Sequence, residues 1–250
     1  MDLSPPLSLG FVALTAGMAL LFVWGVARAP GRPRSPSATL AAVGVVALYL
    51  GVSFALAQTG VLARVDARPP PVGMMLLAMS GGMVALAFSP LGDRLLAWPL
   101  GVLIGVQSFR IAVELLLAAV YADGALPVEM TYHGLNFDIV TGLAAVPLAL
   151  WAWRGSVPNP PVTVITMAVP TGGPSGTTRV PRGLVLAWNV LGVALLAVVV
   201  TMAALSAFGV WETEPRVLLP AMWPGVWLPA WLVQLGLFGH VLVFRKLARG

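Results

Sequence analysis

Seven apolar stretches, each about as long as a bilayer is thick, constrain this chain more than any other feature of its sequence. A helix needs about 20 mostly apolar residues to cross the hydrocarbon core of a membrane. The stretches that meet this requirement lie at residues 7–27, 38–59, 71–88, 96–121, 136–153, 184–208 and 226–247. Because 59% of the 250 residues are hydrophobic and only 9% are charged, the chain has too little polar surface for a water-soluble globule. We therefore predict an all-α fold, a single polytopic transmembrane bundle of seven helices.

The basic residues are distributed unevenly between the two sets of connecting segments. If the N-terminus is outside, the inner segments carry ten of the 14 basic residues and the outer segments carry three. The positive-inside rule then predicts a multi-pass protein with an outer N-terminus and an inner C-terminus. No positive segment precedes the first stretch, so we expect a retained helix rather than a signal peptide. The segment 154–182, rich in Pro, Gly, Ser and Thr, is predicted to be a flexible cytoplasmic linker.

Arg110 and Glu114 are the two charged residues that this topology cannot place at a membrane surface. Arg110 lies near the middle of the fourth stretch, and a spacing of four puts Glu114 on the same helical face. A charge at the bilayer centre costs about 2.5–3.5 kcal/mol on insertion scales, so this face should point into the bundle. Two interpretations stay open. The pair either forms an internal salt bridge, or lines a cavity where Arg110 binds an anionic or zwitterionic group and Glu114 is a counter-ion or proton carrier.

Polar residues of three other stretches are candidates for the same cavity, which we expect to open toward the outer face. Asn136 and Asp138 begin the fifth stretch, where an asparagine cap and an acid in the first turn favour a helix N-terminus. A charge at a helix end is therefore an alternative role for Asp138, as a hydrogen-bonded structural histidine is for His240. The predicted ligand-binding set is Arg110, Glu114, Asp138, Asn189, Gln234 and His240.

Composition disfavours several classes of site. The chain has no cysteine and two histidines, His133 and His240, which are predicted near opposite membrane faces. We therefore expect neither a metal site nor a bis-histidine haem. A retinal protein needs a lysine deep in the bundle, but Lys246, the one lysine, lies at the inner end of the last stretch. We therefore do not expect retinal as a cofactor. The pI near 10.7 does not indicate nucleic-acid binding, because the basic residues lie at helix ends, where membrane orientation explains them.

Several segments from the fourth to the seventh stretch resemble a family of uncharacterised bacterial multi-pass membrane proteins. They are the segments around Arg110–Glu114, 130–138, 188–192 and 226–229, together with His240 and 245–247. The resemblance implies that these polar residues belong to one recurrent architecture in a bacterial plasma (inner) membrane, and it implies no activity.

Three functions remain open from the sequence. The first is binding or transport of a small molecule or ion at the buried polar site, within the lipid bilayer. The second is a structural or assembly subunit that binds lipid, pigment or a membrane partner protein. The third, ranked last, is an intramembrane enzyme acting on a lipid, with Glu114 or Asp138 as general acid or base; no catalytic residue is assigned.

Overall fold

The computed structural model describes residues 3–154 and 180–249, and every regular element in these two ranges is helical. The α-helices are α1 (Pro5–Ala27), α2 (Pro36–Gln58), α3 (Pro71–Ala87), α4 (Pro90–Leu95), α5 (Leu100–Val106), α6 (Phe109–Ala122), α7 (Asp138–Arg154), α8 (Arg182–Ala207) and α9 (Val233–Ala248). Short 3-10 helices lie at Val61–Ala63, Val128–Met130 and Leu219–Ala221, and a π-helical turn, Leu228–Leu232, leads directly into α9. The predicted all-α class is confirmed for these residues, whereas most of the predicted linker, 155–179, lies outside them.

Five helical segments are long and apolar enough to cross a membrane. They are Pro5–Ala27, Pro36–Gln58, Leu100–Ala122, Arg182–Ala207 and Leu228–Ala248. Each of the other two predicted stretches also forms a helix, but α3 and α7 are only 17 residues long. The chain is therefore a membrane-type helical protein, and its structure does not confirm the predicted count of seven crossings.

The outer surfaces of these helices are apolar, as contact with lipid requires. Leu20, Leu40 and Leu77 are 71%, 72% and 76% exposed, although each lies within a helix. Isolated exposed leucines are ordinary, but many on several helices form a surface that water solvates poorly. This surface fits a surrounding bilayer.

The helix expected over 96–121 is interrupted in its middle. α5 ends at Val106 and α6 begins at Phe109, because the amides of Gln107 and Ser108 bond three residues back, each at 3.0 Å. Such a tight turn within a helix often marks a functional hinge. It places the irregular backbone directly beside Arg110.

Gly101 and Gly105 allow α5 to pack closely on α7. A Cβ added at Gly101 would lie 2.8 Å from the Ala149 carbonyl oxygen and 3.0 Å from the Trp153 nitrogen. At Gly105 it would lie 3.3 Å from the Ala149 Cβ. The two backbones therefore touch, and this contact fixes the depth of α7 against α5.

The connection from α6 to α7 folds back into the bundle. Glu114 lies about 12 Å along the helix axis before the end of α6, yet Asn136 hydrogen-bonds to it. Leu126 and Met130 of this connection are buried. The N-terminus of α7 therefore lies inside the bundle, level with Glu114, where irregular backbone is tolerated because protein surrounds it.

At the opposite end of the bundle, the C-terminal turn of α9 is fastened to α4. Asp93 accepts hydrogen bonds from Arg245 at 2.9 Å and Arg249 at 2.8 Å, and Lys246 donates to the carbonyl oxygens of Leu96 and Trp98. The bonds from Arg249 and Arg245 hold the pKa of Asp93 below its ordinary value. Basic residues thus gather at this end.

Candidate functional site

Arg110 lies at the centre of a buried polar cluster between α6, α7, α8 and α9. Its side chain is only 2% exposed, and its Nη1 donates to Asp138 Oδ1 at 2.8 Å. The same nitrogen lies 3.4 Å from the carbonyl oxygen of Gly192 on α8. The ion pair of Arg110 is therefore formed with Asp138 rather than with Glu114, because the N-terminus of α7 reaches this depth. The sequence could not show that, since the two residues are 28 positions apart.

Glu114 has an asparagine as its partner. Both carboxyl oxygens lie within 2.9 Å of Asn136 Nδ2, which also donates to the Met130 carbonyl at 3.1 Å. The Oδ1 of Asn136 accepts the amide of Asp138 at 3.1 Å, a local bond two residues along the chain. Because α7 begins at Asp138, this acid lies in the first turn as predicted, whereas Asn136 lies two residues before the helix rather than at its capping position. Asn136 therefore joins Glu114, the folded-back connection and Asp138. Its contact with Glu114 was missed, because only its role at the helix end has a local sequence signal.

Asn189 and His240 form a reciprocal pair between α8 and α9. The Nδ2 of Asn189 donates to the backbone oxygen of His240 at 3.0 Å, and its Oδ1 lies 2.8 Å from His240 Nδ1. Because the asparagine oxygen can only accept, Nδ1 carries the hydrogen and Nε2 is an acceptor in the neutral ring. The Trp188 ring lies 5.5 Å from the histidine ring and donates to the Thr141 carbonyl at 3.1 Å. The histidine is thereby held in one tautomer.

Two glycines allow the backbones of α8 and α9 to approach the cluster. A Cβ added at Gly236 would lie 3.0 Å from Arg110 Nη2. A Cβ at Gly192 would collide with the His240 ring and lie 2.8 Å from Thr141 Cγ2. Arg110 and His240 therefore both lie against Gly192, one at its carbonyl oxygen and the other at its Cα.

Two buried glutamines lie close in sequence to residues of the cluster, but their side chains bond to different backbone carbonyls. Gln107, at the break between α5 and α6, is buried and its Nε2 donates to the Gly236 carbonyl at 3.3 Å. Gln234 is also buried, but its Nε2 donates to Pro229 in its own segment at 2.9 Å. Hydrogen bonds join five of the six predicted residues to one another in two groups. Arg110 bonds directly to Asp138, and Glu114 is linked to Asp138 through Asn136. Asn189 pairs with His240. In the two described ranges, no hydrogen bond brings Gln234 to this group.

Several buried polar atoms of the cluster have unused hydrogen-bonding capacity. Among the described residues, they are Arg110 Nη2, His240 Nε2 and Gln107 Oε1. An unsatisfied buried donor or acceptor costs about 1–3 kcal/mol, so such groups usually meet water or a ligand. His240 Nε2 and Gln107 Oε1 can accept a hydrogen bond, and Arg110 Nη2 can only donate.

The ionisable groups of the cluster are not balanced in number. α6 contributes one guanidinium, Arg110, and one carboxyl group, Glu114, while α7 contributes a second carboxyl group, Asp138. The part of α8 that faces them offers the neutral Asn189, and α9 offers His240. All are buried, and within residues 3–154 and 180–249 no group of three or more His, Cys, Asp or Glu side chains is arranged to hold a metal ion.

Comparisons with protein-family models, with curated proteins and with solved structures gave no match to this chain.

Proposed function

We propose that the chain is a bacterial inner-membrane protein that crosses the bilayer seven times, with its N-terminus outside and its C-terminus inside. The five long apolar helices support this, and α3 and α7 would complete the count. The basic cluster around the C-terminal turn of α9 supports an inner location for that end.

Single cysteines would test this topology, since the natural chain has none and therefore provides an unlabelled background. In intact cells, a membrane-impermeant maleimide should label Ser4→Cys but label Ser37→Cys only after the cells are opened. The reverse pattern would contradict the proposed orientation.

We further propose that the buried cluster binds a proton or small cation, or a small polar molecule together with a proton, and moves it across the membrane. The observation that supports this is the excess of one carboxyl group over the guanidinium at a fully buried position. A net charge in a medium of low dielectric is costly, so the cluster reaches neutrality when it holds one proton or one small cation. Intramembrane ionisable groups of this kind commonly form proton or ion pathways.

The geometry favours a cation over the anion that a lone arginine would suggest. The guanidinium already has Asp138 as a partner, and Glu114 adds a second carboxyl group to the same site. An added anion would meet both carboxyl groups, whereas a proton or a hydrogen-bond donor would meet the unused acceptors His240 Nε2 and Gln107 Oε1. The sequence left open an anionic or zwitterionic ligand at Arg110, and we propose a cationic or proton-carrying ligand instead.

Two irregular segments next to the cluster could open it to one side at a time. The break at Gln107–Ser108 lies directly before Arg110, and the folded-back connection ends at Asn136. In transporters, interrupted helices and helix N-termini inside the membrane commonly form the binding site. Movement of the connection would separate Asn136 from Glu114 and expose the carboxyl group toward the outer face.

Proton movement in liposomes tests the proposal directly. The purified chain would be reconstituted with a pH-sensitive dye inside, and gradients of Na⁺, K⁺ or NH₄⁺ or a membrane potential would be applied. We expect faster pH changes than in protein-free liposomes, and Glu114→Gln should abolish the difference. The exposed Glu212→Gln variant, with the same chemical change, should behave as the natural chain. If no gradient moves protons, or if Glu114→Gln changes nothing, the proposal is wrong.

A structural role is the second candidate, and one observation favours it. The bonds of Arg110 connect α6 to both α7 and α8, so the arginine could serve assembly alone. In that case Arg110→Gln would abolish folding, and folded Glu114→Gln protein would show unchanged proton movement.

A further inference from the structure

An open groove of about 470 Å³ lies where α1 ends and α2 begins. Arg28 and Arg34 line one part of it, and Leu40 and Val43 of α2 line another. Leu40 and Val43 lie about 6 and 10 Å along α2 from its first residue. The groove therefore passes from two guanidinium groups at the helix ends to apolar side chains on the membrane-facing surface of α2.

Among the residues that the structure describes, no acid pairs with the arginines of the groove. In the described ranges, Arg28 and Arg34 form no ion pair, and Arg32 on the same turn forms none. Asp93 lies at this end of the bundle, but it already forms ion pairs with Arg245 and Arg249. The groove therefore carries uncompensated positive charge.

Arg94 holds the turn that shapes this groove. Its Nε donates to the Val26 carbonyl at 3.3 Å, and its Nη2 donates to the Pro33 carbonyl at 2.8 Å. These bonds tie the last turn of α1 to the segment that carries Arg34. The two arginines are thus presented on a fixed turn.

We propose that this groove binds an anionic phospholipid, with the phosphate group between Arg28 and Arg34 and an acyl chain along Leu40 and Val43. Arginine suits phosphate because its planar guanidinium can donate two parallel hydrogen bonds. A soluble phosphate would use the arginines but would leave the exposed leucine and valine uncovered. Anionic lipids are concentrated in the cytoplasmic leaflet, which agrees with an inner location of the basic end. The proposal does not depend on the ion site at Arg110.

Lipid titration of the full chain in detergent tests this inference. Native mass spectrometry would count bound phosphatidylglycerol and, in a parallel arm, phosphatidylcholine of the same chain length. The Arg28→Gln/Arg34→Gln double variant should bind phosphatidylglycerol about 30-fold more weakly, since each arginine near an anionic headgroup contributes about fivefold. Arg32→Gln, on the same turn but outside the groove lining, is the matched control and should change binding less than twofold.

Three results would overturn the proposal. They are equal binding of the two lipids, an equal loss in Arg32→Gln, and displacement of the lipid by inorganic phosphate at comparable concentration, which would indicate a free-anion site. If the double variant does not fold, the single variants Arg28→Gln and Arg34→Gln should each weaken binding about fivefold, and no loss in either would overturn it.

Discussion

Replacing Asp138 with asparagine should destabilise the protein more than replacing Glu114 with glutamine, although each change removes one buried carboxyl group. In Asp138→Asn, the guanidinium of Arg110 loses its 2.8 Å partner and keeps only the Gly192 carbonyl at 3.4 Å. Breaking a buried ion pair costs about 3–5 kcal/mol. We expect about 3 kcal/mol here, at the lower end of that range, because Glu114 stays close enough to balance the charge.

In Glu114→Gln, one side-chain oxygen can still accept from Asn136 Nδ2, so the loss is that of one hydrogen bond to the second carboxyl oxygen, about 1 kcal/mol. The difference of about 2 kcal/mol corresponds to about 4–8 °C in unfolding temperature for a chain of this size. Tryptophan fluorescence during heating in detergent can measure it, since Trp188 contacts His240 beside the cluster. Equal shifts, or a larger shift in Glu114→Gln, would refute the assignment of Asp138 as the partner of Arg110.

Three further predictions follow from other contacts. Gly101→Ala should destabilise the folded protein by about 1–3 kcal/mol, because its Cβ would press on the α7 backbone. Gly44→Ala, with open space around the added Cβ, should not destabilise it. Thermal unfolding of the two variants measures the difference, and equal effects would contradict the close packing of α5 on α7. Asn136→Leu should cost about 1–3 kcal/mol by leaving Glu114 and a backbone carbonyl unpaired, and unfolding like that of the natural chain would contradict this. Asp93→Asn should lower the unfolding temperature near neutral pH. The pKa of Asp93 in the folded protein lies below its ordinary value of 3.8. The ionised carboxylate therefore stabilises the fold fully above pH 3.8, and this stabilisation is lost as the pH falls through the folded-state pKa. The difference from the natural chain should close in that acidic range, and a difference that grows there would contradict the ion pairs.

The sequence predicts the helices well because lipid imposes a simple rule on them. Each of the seven stretches is largely helical, although the fourth is interrupted at Gln107–Ser108. A run of about 20 apolar residues has few alternatives to a helix in a membrane. The burial of Arg110 and Glu114 was predictable for the same reason, as a charge at that depth must face the interior.

The partners within the site could not be predicted, because they depend on how deep each helix begins. The ion pair of Arg110 with Asp138 requires α7 to start inside the bundle, and the Gly101 contact with Ala149 sets that depth. A helical face places Glu114 beside Arg110 but does not show that Asn136 reaches it from a folded-back connection. The number of membrane crossings depends in the same way on the depth of α3 and α7, because each has only 17 residues.

Infrared spectroscopy of the membrane-embedded chain tests the central claim, that the cluster holds one proton more than ordinary ionisation would give. Our account predicts a protonated-carboxyl band at neutral pH in the natural chain, in a buffer without small metal cations. Either Glu114→Gln or Asp138→Asn should remove the band, because one carboxylate then balances Arg110, while Glu212→Gln should keep it. A natural chain without the band, or a band that persists in both site variants, would contradict the account.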